Sequence, residues 1–138
     1  MHTAIVTGNC YLDLKEYDLA LKQYFRIEYN DPGNIKILRP IAYCYFALGR
    51  FDESEKYYER LSAGKLNAHD LINMGHLALC SGRRKDAIGY YRQGLMTGEL
   101  TREKFMAIFS EDTPLLLQLG VNKDDVPILL DYLLFITF

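Results

Sequence analysis

Apolar residues recur along this chain every three or four positions, in short segments separated by polar turns that contain glycine or proline. In the middle of the chain Leu38, Ile41 and Tyr45 follow this spacing until Gly49 interrupts it. The same period resumes in the next segment with Phe51, Ser54, Tyr58 and Leu61. This pattern predicts two amphipathic helices joined by a tight turn. Gly64 is expected to end the second helix.

This helical pair occurs three times in the sequence. Residues between positions 44 and 58 match residues 34 positions earlier, and residues between 42 and 58 match residues 33 positions later. The most similar positions are Cys10 with Cys44, Tyr11 with Tyr45, Asp18 with Asp52, Tyr24 with Tyr58 and Tyr91, and Gly49 with Gly82. Such dense matches at one offset indicate an internal repeat. Two columns of small residues, Gly8 with Ala42 and Gly75, and Ala20 with Ser54 and Ala87, predict where the paired helices cross closely.

Local signals predict the limits of the remaining helices. We expect helices over residues 3–14 and 17–29, and over 84–96 in the third copy. Pro40 should lie in a first turn, so that its helix begins near Leu38. Asn67 and Asp70 resemble a capping pair at the start of a helix that reaches Cys80.

The last forty residues do not repeat the pattern but are still predicted to be helical. Thr101 can cap a helix that ends near Ser110, a second helix can start at Pro114, and a third at Pro127. The final stretch, residues 128–138, is apolar on nearly every side, which predicts burial. It therefore serves either as a cap on the third repeat, or as a dimer or docking interface.

These residues resemble the tetratricopeptide repeat (TPR) family. The first copy has the family's small residue at Gly8, aromatic residues at Tyr11 and Tyr24, alanine at Ala20 and proline at Pro32. The third copy is the least typical, because Ala78 and Arg84 occupy two aromatic columns, and no copy has the leading tryptophan. The resemblance covers residues 1–100 and implies an all-α TPR solenoid with a right-handed superhelix. Its parts would be repeats at 1–34, 35–67 and 68–100, followed by a C-terminal helical cap region at 101–138.

Composition and charge narrow the class of protein. The 138 residues are 49% hydrophobic and 25% charged, which is typical of a folded domain. The net charge of −2 argues against a general nucleic-acid binder. We find neither a signal peptide nor an apolar run long enough for a membrane span, so a cytoplasmic location is expected. Cys10, Cys44 and Cys80 suggest no disulfide framework and no zinc site, and the shared column of the first two predicts small buried packing residues.

The resemblance implies that the first helix of each repeat lines a concave groove that holds a peptide. The family's groove columns carry all three histidines of the chain, including His2, and two aromatic residues expected to be exposed, Tyr43 and Phe46. From these columns we predict ten peptide-binding residues: Asn9, Leu12, Lys36, Arg39, Tyr43, Phe46, His69, Ile72, Asn73 and His76. Aromatic anchors beside Lys36 and Arg39 suit a peptide with an apolar residue and nearby carboxylates. The alternative is that Tyr43 and Phe46 pack in the core, in which case truncating either would unfold the protein.

Other functions are less well supported by the sequence. Only Asn9 matches the five-residue clamp that TPR co-chaperones use for a C-terminal carboxylate, because Ile5, Pro40, His69 and Asn73 occupy the other positions. His69, Asn73 and His76 share a helix face that could hold a metal or orient a base, but surface polarity explains them more simply. We predict no enzyme activity and no cofactor.

Three further expectations concern the context of the chain. Apolar residues follow almost directly on Met1, which suggests a piece of a larger repeat protein. A structural segment that self-associates through its C-terminal helix is one alternative function. A secretion-type TPR chaperone is another.

Overall fold

A computed structural model of the chain describes residues 2–62 and 66–137. The described residues form eight helices and no strands: α1 (His2–Asp13), α2 (Tyr17–Asn30), α3 (Ile35–Ala47), α4 (Phe51–Ser62), α5 (Ala68–Cys80), α6 (Arg84–Met96), α7 (Arg102–Gln118) and α8 (Asp125–Thr137). The all-α fold predicted from the sequence is confirmed. The chain divides into two compact units, Met1–Lys65 and Leu66–Phe138. Gly64 and the side chain of His2 lie outside the described residues.

The first unit consists of two helical hairpins. Helix α1 packs on α2 and α3 packs on α4, while α2 and α3 form the contact between the hairpins. The core between α2 and α3 buries Leu21, Tyr24, Ile27, Ile37, Ile41 and Cys44. These residues recur at helical spacing in the sequence, so each helix turns one apolar face inward.

The second unit contains one hairpin and the two C-terminal helices. Helix α5 packs on α6, and α8 contacts α6. Helix α7 adds two fully buried rings, Phe105 and Phe109, whose centroids lie 6.3 and 5.4 Å from the ring of Tyr91 on α6. The apolar side chains of α7 thus complete the core of this unit.

The turn inside each hairpin has the same backbone conformation. Lys15, Gly49 and Gly82 occupy equivalent positions and have φ values of 61°, 78° and 81°. The next residue closes each turn, since Glu16, Arg50 and Arg83 donate backbone hydrogen bonds of 2.8–2.9 Å to the carbonyls of Tyr11, Tyr45 and Ala78. Glycine adopts this left-handed conformation without a steric penalty, whereas a lysine does not. The predicted break at Gly49 is confirmed. Lys15 adopts the same left-handed conformation at a cost in folding free energy.

The two columns of small residues lie at the helix crossings, as predicted. A Cβ atom on Gly8 would approach the Tyr24 ring to 2.7 Å, and one on Gly75 would approach the Tyr91 ring to 2.5 Å. The second column, Ala20, Ser54 and Ala87, is fully buried. Larger side chains in either column would separate the paired helices.

Helix limits set by local signals are mostly confirmed. The predicted helix over 84–96 is α6, and α5 begins with the predicted capping box, in which Asn67 and Asp70 exchange hydrogen bonds of 2.8 and 3.0 Å. Thr101 caps α7 by accepting a 3.1 Å hydrogen bond from the Lys104 amide.

Two expectations about proline are wrong. Helix α3 begins at Ile35, capped by the Asn34 side chain, so Pro40 lies inside the helix rather than in its first turn. Pro40 removes the amide that would bond to the carbonyl of Lys36, but Lys36 is exposed and water can satisfy that group.

The second wrong expectation concerns α7, which runs unbroken through Pro114 instead of splitting after Ser110. Ser110 carries the carbonyl that loses its partner here, and it is exposed. Phe109 and Leu116 are fully buried on either side of the proline, so their packing outweighs the missing bond.

Two burial expectations are also wrong in part. Leu133 and Leu134 of α8 are buried, but Ile128, Tyr132 and Phe135 are exposed, because neighbouring helices cover only one side of α8. Cys44 is buried beneath α2, as predicted, whereas Cys10 is exposed. No described helix covers the face of α1 that carries Cys10.

Candidate peptide-binding surfaces

Helix α3 exposes one strip of side chains in the first unit. Most residues between Ile37 and Tyr45 are buried, but Lys36 is exposed and Arg39, Pro40, Tyr43 and Ala47 are partly exposed. These positions recur at intervals of three and four, so they form a continuous line along the helix. The strip combines two cations with one aromatic ring.

Tyr43 is held in place by two other rings. Its ring centroid lies 6.2 Å from that of Tyr17 in an edge-to-face arrangement, and 6.2 Å from that of Phe46. Burial raises the pKa of Tyr17, and a hydrogen bond with Tyr43 partly opposes this shift. The Tyr43 ring is therefore held in one orientation by its neighbours and is partly accessible to solvent.

Phe46 does not share this exposure. Its side chain is only 1% exposed and packs near Phe51, with 6.2 Å between the ring centroids. The expectation that Phe46 is an exposed anchor is wrong, because a step of three residues from Tyr43 turns its side chain towards the start of α4. Phe46 supports Tyr43 from below the surface.

Helix α1 contributes Asn9 and Leu12, and it contacts α3. Asn9 is exposed, and its side-chain oxygen accepts a 2.6 Å hydrogen bond from the hydroxyl of Tyr24. Burial raises the pKa of Tyr24, so that hydroxyl remains protonated and donates. This bond fixes the orientation of the Asn9 amide, while Leu12 lies partly exposed nearby on the same helix.

Helix α5 in the second unit divides the predicted residues into two groups. His69 is exposed and Asn73 is partly exposed. Ile72 and His76 are each 1% exposed. The expectation that His76 is a surface polar residue is wrong.

His76 belongs to a buried hydrogen-bond network. Its Nδ1 lies 2.7 Å from the hydroxyl of Tyr91, and its Nε2 lies 2.9 Å from a carboxylate oxygen of Asp112 on α7. A carboxylate only accepts, so Nε2 carries a proton and donates to Asp112. Burial raises the pKa of Tyr91 well above its usual value, so its hydroxyl keeps its proton while it shares this hydrogen bond with Nδ1.

This network joins three helices. The ring of His76 also packs edge-to-face on Phe109, with centroids 5.2 Å apart. Asp112 follows His76 by 36 positions and belongs to no short motif, so the sequence offered no signal for this pairing. The network holds α7 against α5 and α6.

A metal site or a catalytic base is not supported by this arrangement. Both ring nitrogens of His76 are engaged inside the protein, whereas His69 faces solvent. Within residues 2–62 and 66–137, no three His, Cys, Asp or Glu side chains are grouped to hold a metal ion.

No helix in the described part of the chain combines the length and apolar character that a membrane span requires.

Comparison with known families identifies the repeat. Residues 71–103 match a family model described as "Tetratricopeptide repeat". This match falls on the third copy, which the sequence columns predict to be the least typical. A search of curated proteins finds no match. Together with the helical hairpins of both units, the match supports a tetratricopeptide repeat protein, and such repeats generally act as protein-interaction modules.

Proposed function

We propose that this protein is a non-catalytic module that binds a peptide segment of a partner protein. The exposed faces of α1, α3 and α5 form the binding surfaces. The observation that carries the proposal is the exposed strip of α3, where Lys36 and Arg39 precede the positioned ring of Tyr43. An aromatic anchor beside cations suits a peptide with an apolar residue close to carboxylates.

The packing of Tyr43 favours its use as an anchor. Tyr17 and Phe46 already restrict its ring, so a bound peptide would not have to immobilise it. Preorganisation of this kind lowers the entropic cost of binding. The accessible part of the ring can cover an apolar side chain of the peptide.

The positive charges on the α3 strip indicate which charged residues the peptide carries. Arg39 lies one helical turn before Tyr43, a rise of about 6 Å, and Lys36 lies a further turn away. The peptide therefore carries Asp or Glu within a few residues of its apolar anchor. Asn9 and Leu12 on α1 extend this surface with a hydrogen-bonding group and an apolar one.

The second unit offers a smaller polar surface of its own. His69 and Asn73 lie one turn apart on α5 and can hydrogen-bond to a peptide backbone. Ile72 and His76 support this face from the core rather than touching a ligand.

We propose a protein partner rather than a nucleic acid, since the net charge is −2. We also propose a cytoplasmic location, because the three cysteines are free thiols, as expected in a reducing compartment. The chemistry of these surfaces needs no cofactor.

Selection from a random 12-residue peptide display library on the immobilised chain tests this proposal. Enriched peptides should contain an apolar residue near Asp or Glu. Tyr43→Ala should weaken their binding about tenfold or more in fluorescence anisotropy. Lys36→Glu should weaken it most at low salt, because exposed charges are screened at high salt.

Two control variants make the result interpretable. Tyr29→Ala removes an exposed ring from α2 and should leave binding unchanged. Phe46→Ala should instead destabilise the fold by about 3–5 kcal/mol, as expected for a buried phenylalanine. Enriched peptides that bind folded Tyr43→Ala as tightly as the parent protein would show that the proposal is wrong.

A further inference from the structure

Helix α8 carries an apolar stripe that no part of the described chain covers. Ile128, Tyr132 and Phe135 are 68%, 50% and 85% exposed. They are spaced by four and three residues, so they lie on one side of the helix. Exposed apolar residues grouped in this way usually mark an interaction site.

An apolar cavity opens beside this stripe. It has a volume of about 270 Å³ and lies within the second unit. Its apolar lining includes Leu79, Ile88, Val121, Ile128, Leu129 and Tyr132. Ile128 and Tyr132 belong to both features, so the stripe and the cavity form one continuous surface.

The cavity has few polar groups. Arg84 and Asp125 also line it, and they are joined to each other by a 2.8 Å ion pair. Cavities for larger organic ligands usually start at about 300 Å³ and contain several convergent polar groups. This one therefore fits a single apolar side chain better than a cofactor.

The charges around α8 specify the kind of partner. On α8 and in the turn before it, the acidic side chains are Asp124, Asp125 and Asp131 and the basic one is Lys123; Asp125 is paired with Arg84 of α6. Asp131 is exposed, next to Tyr132. Helix α8 itself has no basic residue, so acidic groups flank its apolar stripe.

This charge pattern disfavours two other occupants. An anionic membrane surface would be repelled by the acidic flank. A second copy lying antiparallel across Tyr132 would bring its own Asp131 close to the first, which is also repulsive. A cationic partner has neither problem, and its lysine or arginine side chains can also contact the exposed rings of Tyr132 and Phe135.

We propose that α8 and the adjoining cavity form a docking site for a basic amphipathic helix of a partner protein. One apolar side chain of that helix fills the cavity, and the next ones along its stripe cover Tyr132 and Phe135. Lysine or arginine residues beside the stripe pair with Asp131 and Asp124. This site shares no residue with the peptide-binding strip on α3.

A synthetic peptide tests the proposal directly. The probe is a fluorescein-labelled 18-residue helix with leucine at positions i, i+3, i+4 and i+7 and lysine elsewhere. One comparison peptide has glutamate in place of lysine, and another has the same composition in an order that abolishes the stripe. The full chain should bind the probe but neither comparison peptide in anisotropy titrations.

Variants of exposed residues then locate the site. Phe135→Ala should weaken binding of the probe about tenfold or more, as for an anchor ring. Asp131→Lys should weaken it and reduce its dependence on salt. Met96→Ala, an exposed apolar change elsewhere in the same unit, and Tyr43→Ala, on the other proposed surface, should have no effect.

Four results would overturn the proposal. They are equal binding of the reordered peptide, absence of binding by the probe, an unchanged affinity in Phe135→Ala, and occupation of the stripe by something else. A second copy on the stripe would appear in light scattering as a dimer that is lost in Phe135→Ala. A membrane on the stripe would appear as sedimentation of the protein with phosphatidylserine vesicles. Phe135 is exposed, so circular dichroism should show this variant folded like the parent protein.

Discussion

The contact between Gly75 and Tyr91 provides a sensitive test of how the hairpins are packed. A Cβ atom at position 75 would lie 2.5, 2.6 and 2.9 Å from three atoms of the Tyr91 ring. That ring is fully buried and enclosed by the rings of His76, Phe105 and Phe109, with centroids 5.4–6.3 Å away. It has little room to move, so Gly75→Ala should destabilise the protein.

The size of the effect follows from two opposing contributions. Alanine stabilises a helix by about 1 kcal/mol relative to glycine. Overpacking a core costs about 1–3 kcal/mol, and displacing the Tyr91 hydroxyl from His76 adds about 1 kcal/mol. The net loss is therefore about 1–3 kcal/mol.

Gly89→Ala is the matched control, since a Cβ atom at this helical position meets nothing within 4 Å. It should gain stability from helix propensity, by up to about 1 kcal/mol. The difference between the two variants removes that shared contribution and isolates the steric cost, about 2–4 kcal/mol.

Thermal unfolding followed by circular dichroism measures this difference. With an unfolding entropy of about 2.1 cal/mol/K per residue, 1 kcal/mol corresponds to about 3–4 °C for a chain of 138 residues. The two variants should differ in Tm by about 7–14 °C. Equal Tm values would refute the argument and would mean that the Tyr91 ring can shift, as required in the middle copy, where Ala42 occupies the equivalent position.

Four other measurements test three separate features, which are the turn at Lys15, the hydrogen bond of Tyr91 and the buried thiol of Cys44. Lys15→Gly should raise stability by about 0.5–1 kcal/mol, because glycine removes the strain of a φ of 61°; a lower Tm would contradict this. Tyr91→Phe should lose about 1–3 kcal/mol in urea unfolding, because it removes the buried hydrogen bond between Tyr91 and Nδ1 of His76, while Tyr90→Phe should change little. Burial raises the pKa of Cys44 from 9.0 to about 12, so its folded thiol should react with iodoacetamide at pH 8 far more slowly than exposed Cys10. The same shift predicts that stability falls as the pH rises above 9, where the unfolded thiol ionises and the folded one does not.

The sequence by itself determined most of the helices, their repetition and the turn at Gly49. Helical periodicity, the glycine at position 49 and the Asn67–Asp70 cap are local features, set by residues within four or five positions of each other. The two columns of small residues could be found because the same crossing of paired helices recurs three times in the sequence. The α3 strip was also predictable in part, since Lys36 and Arg39 follow from the same period.

Only the tertiary structure decided which polar and aromatic side chains are buried. His76 has the spacing of a surface residue, yet it is buried and its Nε2 donates a hydrogen bond to Asp112, which lies 36 positions later on α7. Pro114 looks like a helix break, but burial of Phe109 outweighs the missing hydrogen bond. Phe135 looks like a core residue, yet none of the described helices covers its side of α8. For His76 and Pro114, contacts distant in sequence outweigh the local preference, and for Phe135 such a contact is missing in the described part of the chain.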